Sequence, residues 1–195
     1  PIDELVRTVL SQNTNDRNRD RAFARLRQRF DSWGAVRDAP LEEVEEAIRP
    51  GGLSKQKAPR IQAILEQLGE PMDLDWLETA PREGAMEFLT GLPGVGPKTA
   101  ACIQIFTWGI PEIPVDVHVH RVGGRLGLFR PNAPLPEAHD EMLAITDPAD
   151  AYEFHMNLIR HGRELCRPTP RCEECGLRRM CPWYLEGHVT ERGHR

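Results

Sequence analysis

The chain has no apolar run approaching the roughly 20 residues that a membrane-spanning helix needs. Nor do its apolar and polar residues alternate over a stretch long enough for a strand. The first absence argues against a membrane protein, the second against a sheet. An excess of positive charge is also missing. The sequence carries 25 Lys and Arg against 30 Asp and Glu, a formal net charge of −5. That is the wrong sign for a generic polyanion binder, so any such activity must rest on local features. Cysteine is scarce at five residues, and no secretory signal is visible. Those two facts suggest a reducing, intracellular compartment, where clustered cysteines bind metal more often than they form disulfides. Internal repeats and low-complexity linkers are lacking too. With 195 residues, 39% hydrophobic and 28% charged, the chain suits one globular domain or two small ones.

What is present is helical periodicity. Ile2, Leu5, Val6, Val9 and Leu10 form one apolar stripe. Ala22, Phe23, Leu26 and Phe30 form a second, amid six arginines. Leu41, Val44 and Ile48 mark a short helix stopped by Pro50-Gly51-Gly52. A longer helix is predicted over Lys55–Leu68, with Ile61, Ile64, Leu65 and Leu68 inward, and another around Met86, Phe88 and Leu89. Later helices are predicted over Lys98–Trp108, Val117–Leu128, Pro136–Ile145 and Ala151–Leu165. The fold class is all-α. Proline-rich joints at Pro111–Pro114 and Pro131–Pro136 are the candidate boundaries.

Three clusters of residues carry chemistry. Gly91-Leu92-Pro93-Gly94-Val95-Gly96-Pro97-Lys98 lies between two helices. Glycines 94 and 96 permit tight backbone angles, and Pro97 suits a first helical turn. Main-chain N–H groups at Gly94, Val95 and Gly96, with the helix dipole, can hold an anion such as a phosphate without side-chain charge. Lys98 falls at the start of the following helix, where the dipole and partial desolvation lower an amine's pKa. A neutral amine there is a nucleophile able to form a Schiff base. Asp116, in Val115-Asp116-Val117-His118, precedes another helix. It can cap that helix, or activate an amine and stabilise developing positive charge. Finally, Cys166, Cys172, Cys175 and Cys181 read C-x5-C-x2-C-x5-C. Four thiolates so spaced can hold a 4Fe–4S cluster or a structural zinc, and a single C-x2-C pair leans toward the cluster. The fifth cysteine, Cys102, reads as a plain buried thiol.

In this order the motifs resemble the endonuclease III branch of the helix–hairpin–helix DNA glycosylases. The resemblance rests on Leu-Pro-Gly-Val-Gly-Pro-Lys-Thr-Ala, Val-Asp-Val-His and His161-Gly162-Arg163 leading into the cysteine loop, and covers nearly the whole chain. It implies a six-helix barrel domain with the hairpin, about residues 1–111, and a helical 4Fe–4S cluster domain, about 112–195. The usual first helix of the second domain lies upstream of Pro1 in relatives. It implies that Lys98 is the Schiff-base lysine and Asp116 the essential aspartate. Related adenine mismatch glycosylases generally lack that lysine, so a bifunctional glycosylase/AP lyase acting on oxidised pyrimidines is expected. Two rival readings are a monofunctional mismatch glycosylase and a non-catalytic DNA-binding module. The first two cysteines are separated by five residues where the family commonly has six.

An enzyme that excises a base must first flip it out of the stack and fill the gap. By the same resemblance, the loop Ser11-Gln12-Asn13-Thr14 supplies a polar filler, either Gln12 or Asn13, and Leu53 supplies an apolar wedge. His118, with His120 as a further candidate, is expected near the DNA backbone. Arg167 and Arg171, with Arg178 and Arg179, are expected to form a basic patch. The partner is then duplex DNA with damaged pyrimidines or abasic sites. The protein is expected to be a monomer off the membrane, in the cytoplasm or nucleoid if bacterial.

Overall fold

Caps and glycines set the helix boundaries in the computed structural model, which describes residues 1–130 and 132–188. Pro131 of the second proline-rich joint lies outside the described residues. The chain divides into two compact units, Pro1–Ile110 and Pro111–Arg195. All regular structure among the described residues is helical, and no helix there is long and apolar enough to cross a membrane.

Unit 1 holds seven α-helices: α1 Ile2–Ser11, α2 Asp16–Arg29, α3 Trp33–Asp38, α4 Leu41–Ile48, α5 Ser54–Leu68, α6 Arg82–Thr90 and α7 Pro97–Trp108. Asn15 caps α2 by accepting the Asn18 N–H, and Ser32 caps α3 by accepting that of Ala35. The stripes meet as the periodicity predicts: Leu5, Val9, Leu10, Leu26, Ile48, Ile61 and Leu65 are completely buried in one core. Each contributes about 1.5–3 kcal/mol relative to an exposed side chain. α7 is buried from Thr99 to Ile105 and packs against α1 and α6. Cys102 is buried within it.

Unit 2 holds α8 Val117–Leu126, α9 Leu135–Ile145, α10 Ala151–Glu164 and the short α11 Pro182–Leu185. α8 is shorter than predicted because Gly127 takes φ +70° and closes it. α8 and α10 pack closely at Gly162, where an added Cβ would stand 3.0 Å from His118 Cβ. Ile113, Val119, Val122, Ala138 and Met142 form the apolar interior. The buried Glu112 carboxylate accepts from His139 Nε2 at 2.6 Å within it. Beyond α10 the character changes: from Arg163 to His188 no residue is buried.

Candidate active site and cysteine pocket

The turn between α6 and α7 is anchored by apolar side chains and presents its main chain. Leu92 and Val95 are 2% and 4% exposed, which pins the hairpin to the core. Val95 therefore offers main chain alone, and its N–H already bonds Leu92 O at 3.1 Å. Gly94 and Gly96 are exposed. Gly94 has φ +71°, and a Cβ there would run into the Arg60 side chain. Its backbone angle thus favours glycine, and a side chain there would also have to displace the Arg60 guanidinium. Gly96 is extended and precedes Pro97, the first residue of α7. No side chain caps this helix start. Lys98 is its second residue and is exposed. The expected partial desolvation is not supplied by the free protein, because the position points outward from the buried face that begins at Thr99.

Two further loops of unit 1 carry the expected gap-filling residues. Gln12 is tied down: Arg60 Nη1 donates to its Oε1 at 2.7 Å, and its Nε2 donates to Gly94 O at 3.3 Å. Asn13 stands exposed at φ +53°. Leu53 is 45% exposed and also left-handed, φ +50°. That conformation is rare for a bulky side chain and recurs at functional sites. Lys57 and Arg60 in the next helix were not among the expected residues. One signal for Lys57 was present: it continues the inward stripe of Ile61, Ile64 and Leu68 at helical spacing. For the Arg60–Gln12 pair, 48 positions apart, no local signal exists.

Asp116, in unit 2, is the N-cap of α8. Its Oδ1 accepts the N–H groups of His118 and Val119, both at 2.8 Å. His118 is half-buried, and its Nδ1 lies 3.1 Å from Arg121 Nη2. A guanidinium can only donate, so Nδ1 accepts. Arg121 also donates to Gly162 O and Cys166 O, each at 2.9 Å, and so links α8 to the first cysteine. His120 faces inward, with Nε2 on Ala133 O at 3.0 Å and its ring beside Phe129. That placement fits packing.

Cys166, Cys172, Cys175 and Cys181 are all free thiols and line one pocket with Arg125, His161, Trp183 and Tyr184. Burial, then the other three cysteines, pushes the Cys172 thiol above its ordinary value. Four like-charged thiolates at such a site need a cation to be held there. Arg125 supplies part of that charge, donating from Nη1 to Cys166 Sγ at 3.3 Å while stacking on Trp183. Its two terminal nitrogens also fix the loop through Arg167 O at 2.7 Å and Pro168 O at 3.0 Å. Among the described residues no group of three or more His, Cys, Asp or Glu side chains is arranged to hold a metal ion. The thiols ring a space instead. The donor set suits a thiolate-bound centre, and a segment without buried residues has little else to fold around. The expected basic patch is partly neutralised: Arg171 pairs with Glu174 at 3.1 Å and Arg178 with Glu173 at 2.8 Å. Arg167 donates to Arg163 O at 3.0 Å. Such exposed pairs are weak.

Residues 6–146 match the family model of the HhH-GPD superfamily base excision DNA repair protein. Endonuclease III of Thermotoga maritima is 33% identical over 100% of this chain and 90% of its own. Endonuclease III of Synechocystis is 34% identical, with 93% of this chain and 81% of its own covered. The structure of a trapped endonuclease III–DNA covalent intermediate superposes with a TM-score of 0.80. It is 31% identical and covers 94% of this chain and 84% of that one. The all-α fold is that of endonuclease III. By motif order, matched length and fold, the chain belongs to the HhH-GPD superfamily of base excision DNA repair proteins.

Proposed function

We propose that this protein is a bifunctional DNA N-glycosylase/AP lyase that removes oxidised pyrimidines from duplex DNA, acting as a monomer. The observation that carries the reading is Lys98: an exposed amine at the second position of α7, directly after a glycine hairpin whose main chain faces outward. The main-chain N–H groups of Gly94 and Gly96 and the uncapped start of α7 take a DNA phosphate. This main-chain grip answers the objection raised by a net charge of −5. Asn13 fills the gap left by the extruded base and Leu53 wedges the stack, since both stand exposed while Gln12 is engaged. His118, Arg167 and Arg171 steady the backbone.

In the reaction Lys98 Nζ, as the free amine, attacks C1′ of the flipped nucleotide. The bond from C1′ to the base breaks, and the base leaves with the electron pair and takes up a proton. Asp116, as a carboxylate, stabilises the positive charge that develops on the sugar. Ring opening gives an iminium between Nζ and C1′. Loss of a C2′ proton then expels the phosphate from C3′, which nicks the strand. Water hydrolyses the imine and returns Lys98. Because Lys98 is exposed in the free protein, the desolvation it needs comes with the bound DNA.

Cys166, Cys172, Cys175 and Cys181 would hold a 4Fe–4S cluster, with residues 112–195 as its domain. Bound there, the cluster supplies cross-linking of a loop that has no buried residue, and takes no part in bond cleavage.

The test is borohydride trapping on a duplex containing one thymine glycol, with wild type and Lys98→Ala compared. A covalent adduct in wild type that is absent from the variant is expected. Base release by wild type without a nick or adduct would make the enzyme monofunctional, and no release at all would leave a DNA-binding module.

A further inference from the structure

Lys57 lies at the start of α5 and is 2% exposed, the largest of the fully buried side chains. Its Nζ donates to Leu10 O at 2.7 Å and to Gly51 O at 2.9 Å. Burial, and then the Arg60 charge, pushes the ammonium below its ordinary value. An ion placed at such cost, where an apolar residue would fill the core more cheaply, calls for a reason.

The two acceptors suggest it. Leu10 ends the buried stripe of α1 and opens directly into the loop of Gln12 and Asn13. Gly51 precedes Gly52 and Leu53, whose left-handed angles of φ +69° and φ +50° carry the leucine outward. Both carbonyl oxygens sit within 2.9 Å of one nitrogen, so the roots of the two loops are fixed to a common point. A carbonyl pair cannot hydrogen-bond to itself. A charged donor with three N–H groups does what no apolar residue could.

We propose that Lys57 is a positioning residue for base extrusion, its buried ammonium holding the Asn13 loop and the Leu53 loop at the separation that lets filler and wedge act on one base pair. The proposal rests on the glycosylase/lyase reading above. It concerns the step before chemistry and leaves Lys98 and Asp116 untouched.

The two steps separate by substrate. Excision of a thymine glycol from a duplex requires extrusion against stacking and pairing. Trapping at a preformed abasic site in the same duplex requires much less, because no base must be drawn out. With enzyme saturating and single turnover, Lys57→Met is expected to lower lesion excision by about 30-fold or more, since misplacement of this kind costs up to about 100-fold. Borohydride trapping at the abasic site should stay within about threefold of wild type on the same grounds. Lys57→Gln, which keeps a shorter pair of N–H donors, should fall between. Equal losses on both substrates, or no loss on either, would overturn the proposal. If neither variant folds, as judged by thermal unfolding, Lys57 serves folding alone and the proposal also fails. Wild-type protein that neither excises nor traps would instead overturn the proposed function, and this inference with it.

Discussion

Under the proposed reading Asp116 combines two roles in one carboxylate, and they can be separated. Its Oδ1 takes both N–H groups at the start of α8, which a neutral amide oxygen can also do. Asp116→Asn is therefore expected to keep stability to within a few tenths of a kcal/mol, as Asn and Asp cap about equally well. Activity should nonetheless fall by roughly 100-fold or more, the scale of one lost electrostatic stabiliser. Asp116→Ala should lose the activity and about 1 kcal/mol of stability besides. Thermal unfolding beside single-turnover excision reads both. If the Asn variant retains full rate, the carboxylate is only a cap. At this scale Lys98 and Asp116 were legible only as candidates, from the ordered motifs around them and the resemblance these carry. The clasp of Arg60 on Gln12 was not, because it joins residues brought together only by packing. Lys57 was half legible: its place on an apolar stripe is visible, its two carbonyl partners are not.

Among the elements, the longer helices follow the apolar period, and their ends follow glycine and cap residues. α3 escaped because it has six residues and buries only Val36, too few positions to show a period. The His161-Gly162-Arg163 motif gains a packing reason: Gly162 is where α10 meets α8. An alanine there would set its Cβ 3.0 Å from His118 Cβ and 3.2 Å from Val122 Cγ2. Gly162→Ala should cost about 1–3 kcal/mol, the usual penalty for overpacking. It should also disturb the Arg121 bond to Gly162 O that reaches the cysteine loop. Chemical denaturation would measure the first effect and, under the proposed reading, iron content per chain the second. A variant of wild-type stability would show that the two helices can move apart without loss.

For the whole molecule, the uneven distribution of buried side chains has a thermodynamic meaning. Unit 1 has a continuous apolar core, whereas the segment from Arg163 to His188 has none. Under the proposed reading, that segment is held by its thiolate-bound centre. Removing the iron should abolish hydrogen-exchange protection in the cysteine loop while the cores of α1 and α7 keep theirs, since stability is not uniform across a fold. Uniform loss would mean that the two units unfold as one. Net charge gave no hint of DNA as partner, because it sums over surfaces that never meet the duplex.

The hairpin between α6 and α7 also bears on evolution and on solution conditions. A grip made from main-chain amides belongs to the path of the backbone and not to any side chain, so only residues that hold that path, such as Gly94, need be kept. Amides do not ionise between acid and alkali. The proposed hold of the hairpin on phosphate should thus vary little with pH. Any pH dependence of DNA docking must then arise outside the hairpin.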